Sequence, residues 1–157
     1  MRISLICIGK TDDKHIIQGI ETYLKRLKHY ISFQMISLPD IKNSKHLSQE
    51  QQKEKEGQLI LKQVAPQDVV VLLDERGKEL SSVAFAGELE KHMLASVSHL
   101  IYIVGGPYGF DEAVYQRANA KMSLSKLTFS HQMVRLFFVE QVYRAMTIIR
   151  GEPYHHA

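Results

Sequence analysis

IYIVGGPYGF, residues Ile101–Phe110, joins a continuous apolar run to a glycine-rich loop. Such a run of β-branched and aromatic side chains is typical of a buried strand in a parallel sheet. The paired glycines Gly105 and Gly106 let the backbone come close to a bound molecule and expose its amides. Because ligands of open α/β sheets bind beyond the carboxyl ends of the strands, we expect a ligand loop here. The alternative is an ordinary strand-to-helix turn, with Asp111 capping the next helix.

Around this segment the chain alternates strand and helix patterns, which predicts an α/β fold with a mostly parallel sheet flanked by helices. Apolar runs predict two earlier strands at Ile3–Ile8 and Ile31–Leu38. VVVLL at 69–73 predicts a buried strand that stops at Asp74.

Capping residues and helical spacing predict five helices. They comprise a helix capped by Asp12 or Asp13, a long exposed helix from about Ser48, a helix capped by Ser81 or Ser82, a short helix from Asp111 and a final helix from near His131.

Composition indicates one globular domain with its own core, since 45% of the 157 residues are apolar. The only cysteine, Cys7, lies in an apolar run, which excludes a disulfide within the chain and favours a reducing, cytoplasmic location. ISLICIG at 3–9 is too short to span a bilayer and lacks a cleavage pattern, so no membrane association is expected.

Charge is modest overall, at +3, and unevenly distributed. Residues 121–150 carry Lys121, Lys126, Arg135, Arg144 and Arg150 against one acid, Glu140. Residues 1–30 are also rich in lysine and arginine. The distribution favours docking of a polyanion at the two ends of the chain, and a solvated surface is the alternative.

The final helix is apolar on more than one face, so packing on its own sheet is expected to leave apolar surface in water. We therefore expect a homodimer whose interface includes Phe137 or Phe138 and Val142. A fully buried core helix is the alternative.

Several familiar chemistries do not fit. Gly9-Lys10-Thr11 lies where a phosphate-binding loop ends, but Ser4 stands where that motif needs its first glycine. The sequence has neither a dinucleotide fingerprint nor Gly-x-Ser-x-Gly. His155 and His156 are adjacent rather than one helical turn apart, so no metal site is expected.

Five ordered blocks resemble one known family: LLDERGKELSS at 72–82, IVGGPYGF at 103–110, SLSKLTFSHQMVR at 123–135, EQVYRA at 140–145 and GEPYHH at 151–156. They are similar to the SPOUT-class methyltransferases, and within these to the RlmH family, which methylates N3 of a pseudouridine in large-subunit (23S) ribosomal RNA. The resemblance covers essentially the whole chain. Ser130 stands where many members have proline, and His156 where lysine or arginine often follows.

This resemblance implies a single SPOUT-type domain over residues 1–157, a trefoil knot near its C-terminus and a homodimer. It also implies that S-adenosyl-L-methionine binds, bent, in the knotted loops at the dimer interface. The positions matching the family's cofactor contacts are Leu73, Gly105, Leu124, Ser125, Lys126, Leu127, Thr128 and Phe129. For Leu124 and Leu127, packing in the core is the alternative.

The implied methyl transfer needs a uracil nitrogen, N3, that has lost its proton, and nearby cations or donors stabilise the resulting anion. The candidate catalytic residues are Arg144, Tyr154, His155 and Arg135. We expect Arg144 to hold phosphate or the imide oxygens, His155 to accept the proton and Tyr154 to stack on or orient the base. For Arg135 the alternative is an ion pair with Glu140 or with an acid of a second chain, and for the tail it is disorder.

Without a separate RNA-binding domain, the expected partner is the assembled ribosome with its large-subunit RNA. Two other functions stay open at this point: a SPOUT methyltransferase acting on transfer RNA, and a noncatalytic ribosome-binding dimer.

Overall fold

The computed structural model describes residues 1–156, so Ala157 of the predicted domain lies outside the described residues. Five parallel strands form one sheet. They are β1 (Arg2–Ile8), β2 (Ser32–Leu38), β3 (Val69–Glu79), β4 (His99–Val104) and β5 (Ala120–Ser123). The order across the sheet is β2-β1-β4-β3-β5, and β4 is buried along its whole length at the centre.

Helices cover both faces of this sheet, which confirms the predicted α/β class. They are α1 (Lys14–Leu27), α2 (Gln49–Leu61), α3 (Ser82–Leu94), α4 (Glu112–Arg117) and α5 (His131–Ile149), with a 3₁₀ turn at Ser44–His46. One apolar core lies under α1, α3 and α5, and a second lies under α2 and α4. No helix within residues 1–156 is long and apolar enough to cross a bilayer.

Each α-helix begins at a side-chain cap, as the sequence predicts. The choice left open at two helices falls on Asp13 for α1 and on Ser81 for α3. Ser48 and Gln51 form a reciprocal capping box at the start of α2. Asp111 and Ser130 cap α4 and α5 in the same way.

β3 is longer than predicted, because it does not stop at Asp74 but runs on to Glu79. Its pairing with β5 shifts register between Leu73 and Lys78, and the chain bends there. Gly77 makes the bend possible, since a Cβ atom at this position would lie 2.6 Å from the backbone nitrogen of Met122.

Two predictions about helix exposure are wrong. α2 is not simply an exposed helix, because Ile60 packs in the second core and Glu56 is buried. On α5, Phe138 and Val142 are buried inside their own chain and are therefore unable to form a dimer contact. Phe137 does remain exposed, so much of α5 is a core helix with one apolar residue facing out.

Candidate active site

Three strand ends converge at one edge of the sheet. Leu73 of β3 pairs with Val104 of β4 on one side and with Met122 of β5 on the other. The loops that follow these residues therefore lie side by side, as parallel strands require. They enclose a cavity of about 740 Å³ whose far wall includes Val134 of α5.

Seven of the eight predicted cofactor residues line this cavity: Leu73, Gly105, Leu124, Ser125, Leu127, Thr128 and Phe129. The eighth, Lys126, is not part of the lining. Its side chain is 87% exposed, with Nζ 3.8 Å from a carboxylate oxygen of Glu79. Seven of the predicted residues thus lie together around the cavity, whereas the side chain of Lys126 lies in solvent beside Glu79.

Phe110 and Glu56 pack closely against the backbone of the glycine loop. A Cβ atom at Gly105 would lie 3.1 Å from the Phe110 ring, and one at Gly106 would collide with the carboxylate of Glu56. Burial raises the pKa of Glu56, and its Oε1 has no hydrogen-bond partner among the described residues. Both glycines are therefore needed for the backbone to pass between α2 and the cavity.

The second cavity loop, 123–129, is shaped by its own hydrogen bonds. Ser123 Oγ donates to the carbonyl of Ser125 at 2.9 Å, and the Leu127 amide donates to Ser125 Oγ at 3.0 Å. This turn leaves Leu127 75% exposed. The Phe129 ring packs on Phe137 of α5, with ring centroids 4.9 Å apart.

A second polar cluster, here called the tail cluster, consists of Glu140, Arg144, Tyr154 and His155. Arg144 donates to Glu140 Oε1 from Nε at 3.1 Å and from Nη2 at 2.6 Å. The Tyr154 hydroxyl donates to the same oxygen at 2.9 Å, and the Arg144 guanidinium lies 4.7 Å from the Tyr154 ring centroid. The tail is therefore held on α5, which argues against the alternative of a disordered tail.

The tail cluster keeps the phenol of Tyr154 protonated. Burial, together with hydrogen bonds to Tyr23 and Glu140, raises the pKa of Tyr154, so its phenol is a neutral donor. Arg144 lies 3.1 Å from His155 Nδ1 and is able only to donate. His155 Nδ1 is therefore the acceptor of this hydrogen bond.

Glu140 is a residue of the tail cluster that sequence reasoning did not select. The sequence offered it only as one alternative partner of Arg135, whereas in the structure it pairs with Arg144 four residues later. The hydrogen bonds to Glu140 raise the pKa of Arg144. The spacing of four residues on a helix was the available signal for this pair.

Arg135 does not belong to either site, which corrects its assignment as a catalytic candidate. It is only 2% exposed, and its guanidinium donates to the carbonyls of Ile8 at 2.9 Å and Gly9 at 3.0 Å. Nη1 also donates to the Thr11 hydroxyl at 2.9 Å. Arg135 thus fastens α5 to the loop that follows β1, and is out of reach of a substrate.

One chain does not bring the cavity and the tail cluster together. Val134 lines the cavity, and Arg144 follows ten residues later on the same helix, about 15 Å along its axis. None of the four tail-cluster residues lines the cavity. Within residues 1–156 there is also no group of histidine, cysteine and acidic residues suited to a metal ion.

Comparisons with known proteins agree on one family. The family model described as "Predicted SPOUT methyltransferase" matches residues 1–155. A protein of Parabacteroides distasonis named ribosomal RNA large subunit methyltransferase H is 60% identical over 156 residues, and one of the same name in Flavobacterium johnsoniae is 57% identical; each match covers 99% of both chains. A crystal structure of tRNA (m1G37) methyltransferase from Aquifex aeolicus superimposes with a TM-score of 0.60 at 15% identity, over all of this chain and 76% of that one, which shows a shared fold.

We expect Arg135→Met to lower the free energy of unfolding by about 3 kcal/mol, because it leaves two buried carbonyls without donors. Arg150→Met is the matched control, since Arg150 is exposed and gives one hydrogen bond, to the carbonyl of His29; its loss should be below about 1 kcal/mol. Urea unfolding measures both. Equal losses in the two variants would contradict the role of Arg135 as an anchor.

Proposed function

Because this chain belongs to the SPOUT methyltransferase family, we propose that it transfers the methyl group of S-adenosyl-L-methionine to N3 of a pseudouridine in large-subunit ribosomal RNA. The observation that carries the proposal is the cavity at the ends of β3, β4 and β5, which gathers seven of the eight expected cofactor residues. Full-length relatives at 57–60% identity support the ribosomal substrate. The ribosomal substrate assigns the chain to the cytoplasm, and the trefoil knot stays a prediction from the family.

The cavity has a size and character suited to this cofactor, since small-molecule sites commonly span about 300–1,000 Å³ with apolar walls and a few polar groups. Leu124, Leu127 and Phe129 supply apolar surface for a purine ring. The backbone at Gly105 offers polar groups at close approach. When bound, S-adenosylmethionine supplies a methyl group on a positively charged sulfur, a reactive electrophile.

The tail cluster supplies the groups that the acceptor base needs. Arg144 has a planar guanidinium that suits the two imide oxygens flanking N3, where negative charge develops as the proton leaves. Glu140 holds that guanidinium in place. His155 accepts the N3 proton once its imidazole turns from Arg144 to the base, while Arg144 stays on Glu140; the neutral Tyr154 stacks on or orients the ring.

We further propose that the complete site is shared between two copies of the chain, because one copy separates its cavity from its tail cluster. A groove of about 250 Å³ beside the cavity is bordered by Phe129, Phe137 and Leu124. Exposed Leu127 and Phe137 flank it and give a second copy apolar surface to cover. In such a dimer the tail of one protomer closes the cavity of its partner.

The ribosome, rather than an isolated RNA hairpin, is the proposed docking partner. With a net charge of +3, the chain is expected to have a low nonspecific affinity for RNA, because that affinity comes from contacts between cationic side chains and phosphates. Shape recognition by the two-fold dimer then supplies the selectivity. Likeness to a transfer-RNA enzyme at 15% identity shows the fold alone, so it does not favour that substrate.

We expect Gly105→Val to abolish cofactor binding, because its Cβ atom would lie 3.1 Å from the Phe110 ring and its methyl groups would crowd the part of the cavity wall that these two residues form. Gly87→Val is the control, since a Cβ atom at Gly87 meets nothing within 4 Å. Calorimetry with S-adenosylmethionine reads out binding, and sedimentation checks that both variants form dimers. Normal affinity in a folded Gly105→Val dimer would remove the cavity assignment.

A mixing experiment tests the shared site. A Gly105→Val chain keeps its tail, and a chain lacking residues 154–157 keeps its cavity, so each alone should be inactive yet dimeric. Mixed in equal amounts with subunit exchange, they should recover about one quarter of wild-type methyl transfer, since half of the dimers are mixed and each has one complete site. No recovery despite mixed dimers would show that each chain uses its own tail.

The ribosomal substrate is tested by radiolabelled methyl transfer to whole ribosomes, free large subunits and naked ribosomal RNA. We expect transfer to whole ribosomes to exceed that to naked RNA by at least about tenfold, because docking on the particle supplies the binding energy. Equal rates on all three would refute docking on the ribosome. Cofactor binding without transfer to any RNA would favour a noncatalytic binder.

A further inference from the structure

Asp74 is a carboxylate held rigidly in the wall of the cofactor cavity. Its Oδ1 accepts a hydrogen bond of 2.8 Å from the backbone amide of Arg76. Its Oδ2 accepts one from the hydroxyl of Tyr115, on α4. Because the two donors come from different elements, the carboxylate is oriented before any ligand arrives.

The strand register places Asp74 beside the glycine loop. Leu73 and Val104 are paired across β3 and β4, so Asp74 and Gly105 are the residues that follow the paired ends of neighbouring strands. Adjacent strands lie about 4.8 Å apart. Asp74 therefore adjoins the Gly105 side of the cavity. With the purine ring on the apolar surface of Leu124, Leu127 and Phe129, that side is left for the methionine half of the cofactor.

Tyr115 is itself well anchored. Its ring meets Phe110 edge-on with centroids 5.8 Å apart, and Phe110 in turn packs behind Gly105. Burial and the hydrogen bond to Asp74 raise the pKa of Tyr115 to about 12, so its hydroxyl remains a donor throughout the neutral range. Phe110 and Tyr115 thus form one packed unit that connects the glycine loop to Asp74 and orients its carboxylate.

We propose that Asp74 is the counter-ion of the sulfonium in the bound cofactor, and that Tyr115 is the positioning residue that holds it. This inference rests on the proposed function. Methyl transfer breaks the bond between carbon and sulfur and leaves both electrons on sulfur, so the cofactor product, S-adenosylhomocysteine, carries a neutral thioether. A fixed negative charge close to sulfur consequently favours the cofactor over its product.

The test compares affinities for S-adenosylmethionine and S-adenosylhomocysteine by calorimetry in the full-length dimer. We expect Asp74→Asn to weaken S-adenosylmethionine about tenfold and S-adenosylhomocysteine less than about twofold. Tyr115→Phe keeps the ring but removes the hydroxyl that donates to Asp74. It should lower the ratio of the affinity for S-adenosylmethionine to that for S-adenosylhomocysteine, but by less than Asp74→Asn does. Glu88→Gln is the control, because Glu88 lies on α3 outside the cavity lining, paired with Lys91, and should leave the ratio unchanged.

Equal losses for both ligands in Asp74→Asn would overturn the proposal, since that pattern indicates contact with groups the ligands share, such as the ribose hydroxyls. An unchanged affinity ratio in Tyr115→Phe would overturn the positioning role of Tyr115. This variant also tests the proposal if Asp74→Asn fails to fold. A change in Glu88→Gln as large as in Asp74→Asn would show an effect of the overall charge of the protein and would also overturn the proposal. Wild-type protein that binds neither ligand would instead refute the proposed function.

Discussion

Parallel strand pairing is the constraint on which the described structure depends. Since all five strands run in one direction, every carboxyl end reaches the same edge of the sheet, and each loop that leaves that edge shares space with its neighbours. The order across the sheet sets β4 between β1 and β3, which makes the glycine loop the neighbour of the bend in β3. The strand order therefore determines where the cavity lies, and the side chains that line it determine which ligand can bind.

The buried guanidinium of Arg135 extends this constraint to the last helix. It donates to carbonyls at the end of β1, while the preceding residue, Val134, lines the cavity. Gln132, one turn earlier, adds hydrogen bonds to the backbone of Lys10 and Asp12. The start of α5 is therefore fixed relative to the sheet, and this sets the position of the tail cluster further along the helix.

Local pattern was sufficient to predict the α/β class, the capped helix starts and the glycine loop, because each depends on residues close together in the sequence. It failed at Asp74, since polar side chains do not prevent a backbone from pairing when a neighbouring strand such as β5 is available. It also failed for Arg135, whose partners lie at the other end of the chain. The separation of the tail cluster from the cavity was not predicted either, because it depends on which turn of α5 meets the cavity, and that is set by packing between distant segments.

The length of α5 has an evolutionary consequence. α5 carries a cavity residue near its first turn and the tail cluster beyond its middle, and each inserted residue would rotate everything after it by about 100° and advance it by about 1.5 Å. An insertion between Glu140 and Arg144 would separate this pair, and an insertion before Phe138 would turn the buried row that includes Phe138 and Val142 away from the core. Selection is consequently free to exchange side chains on the exposed face of this helix, but not to change the number of its residues.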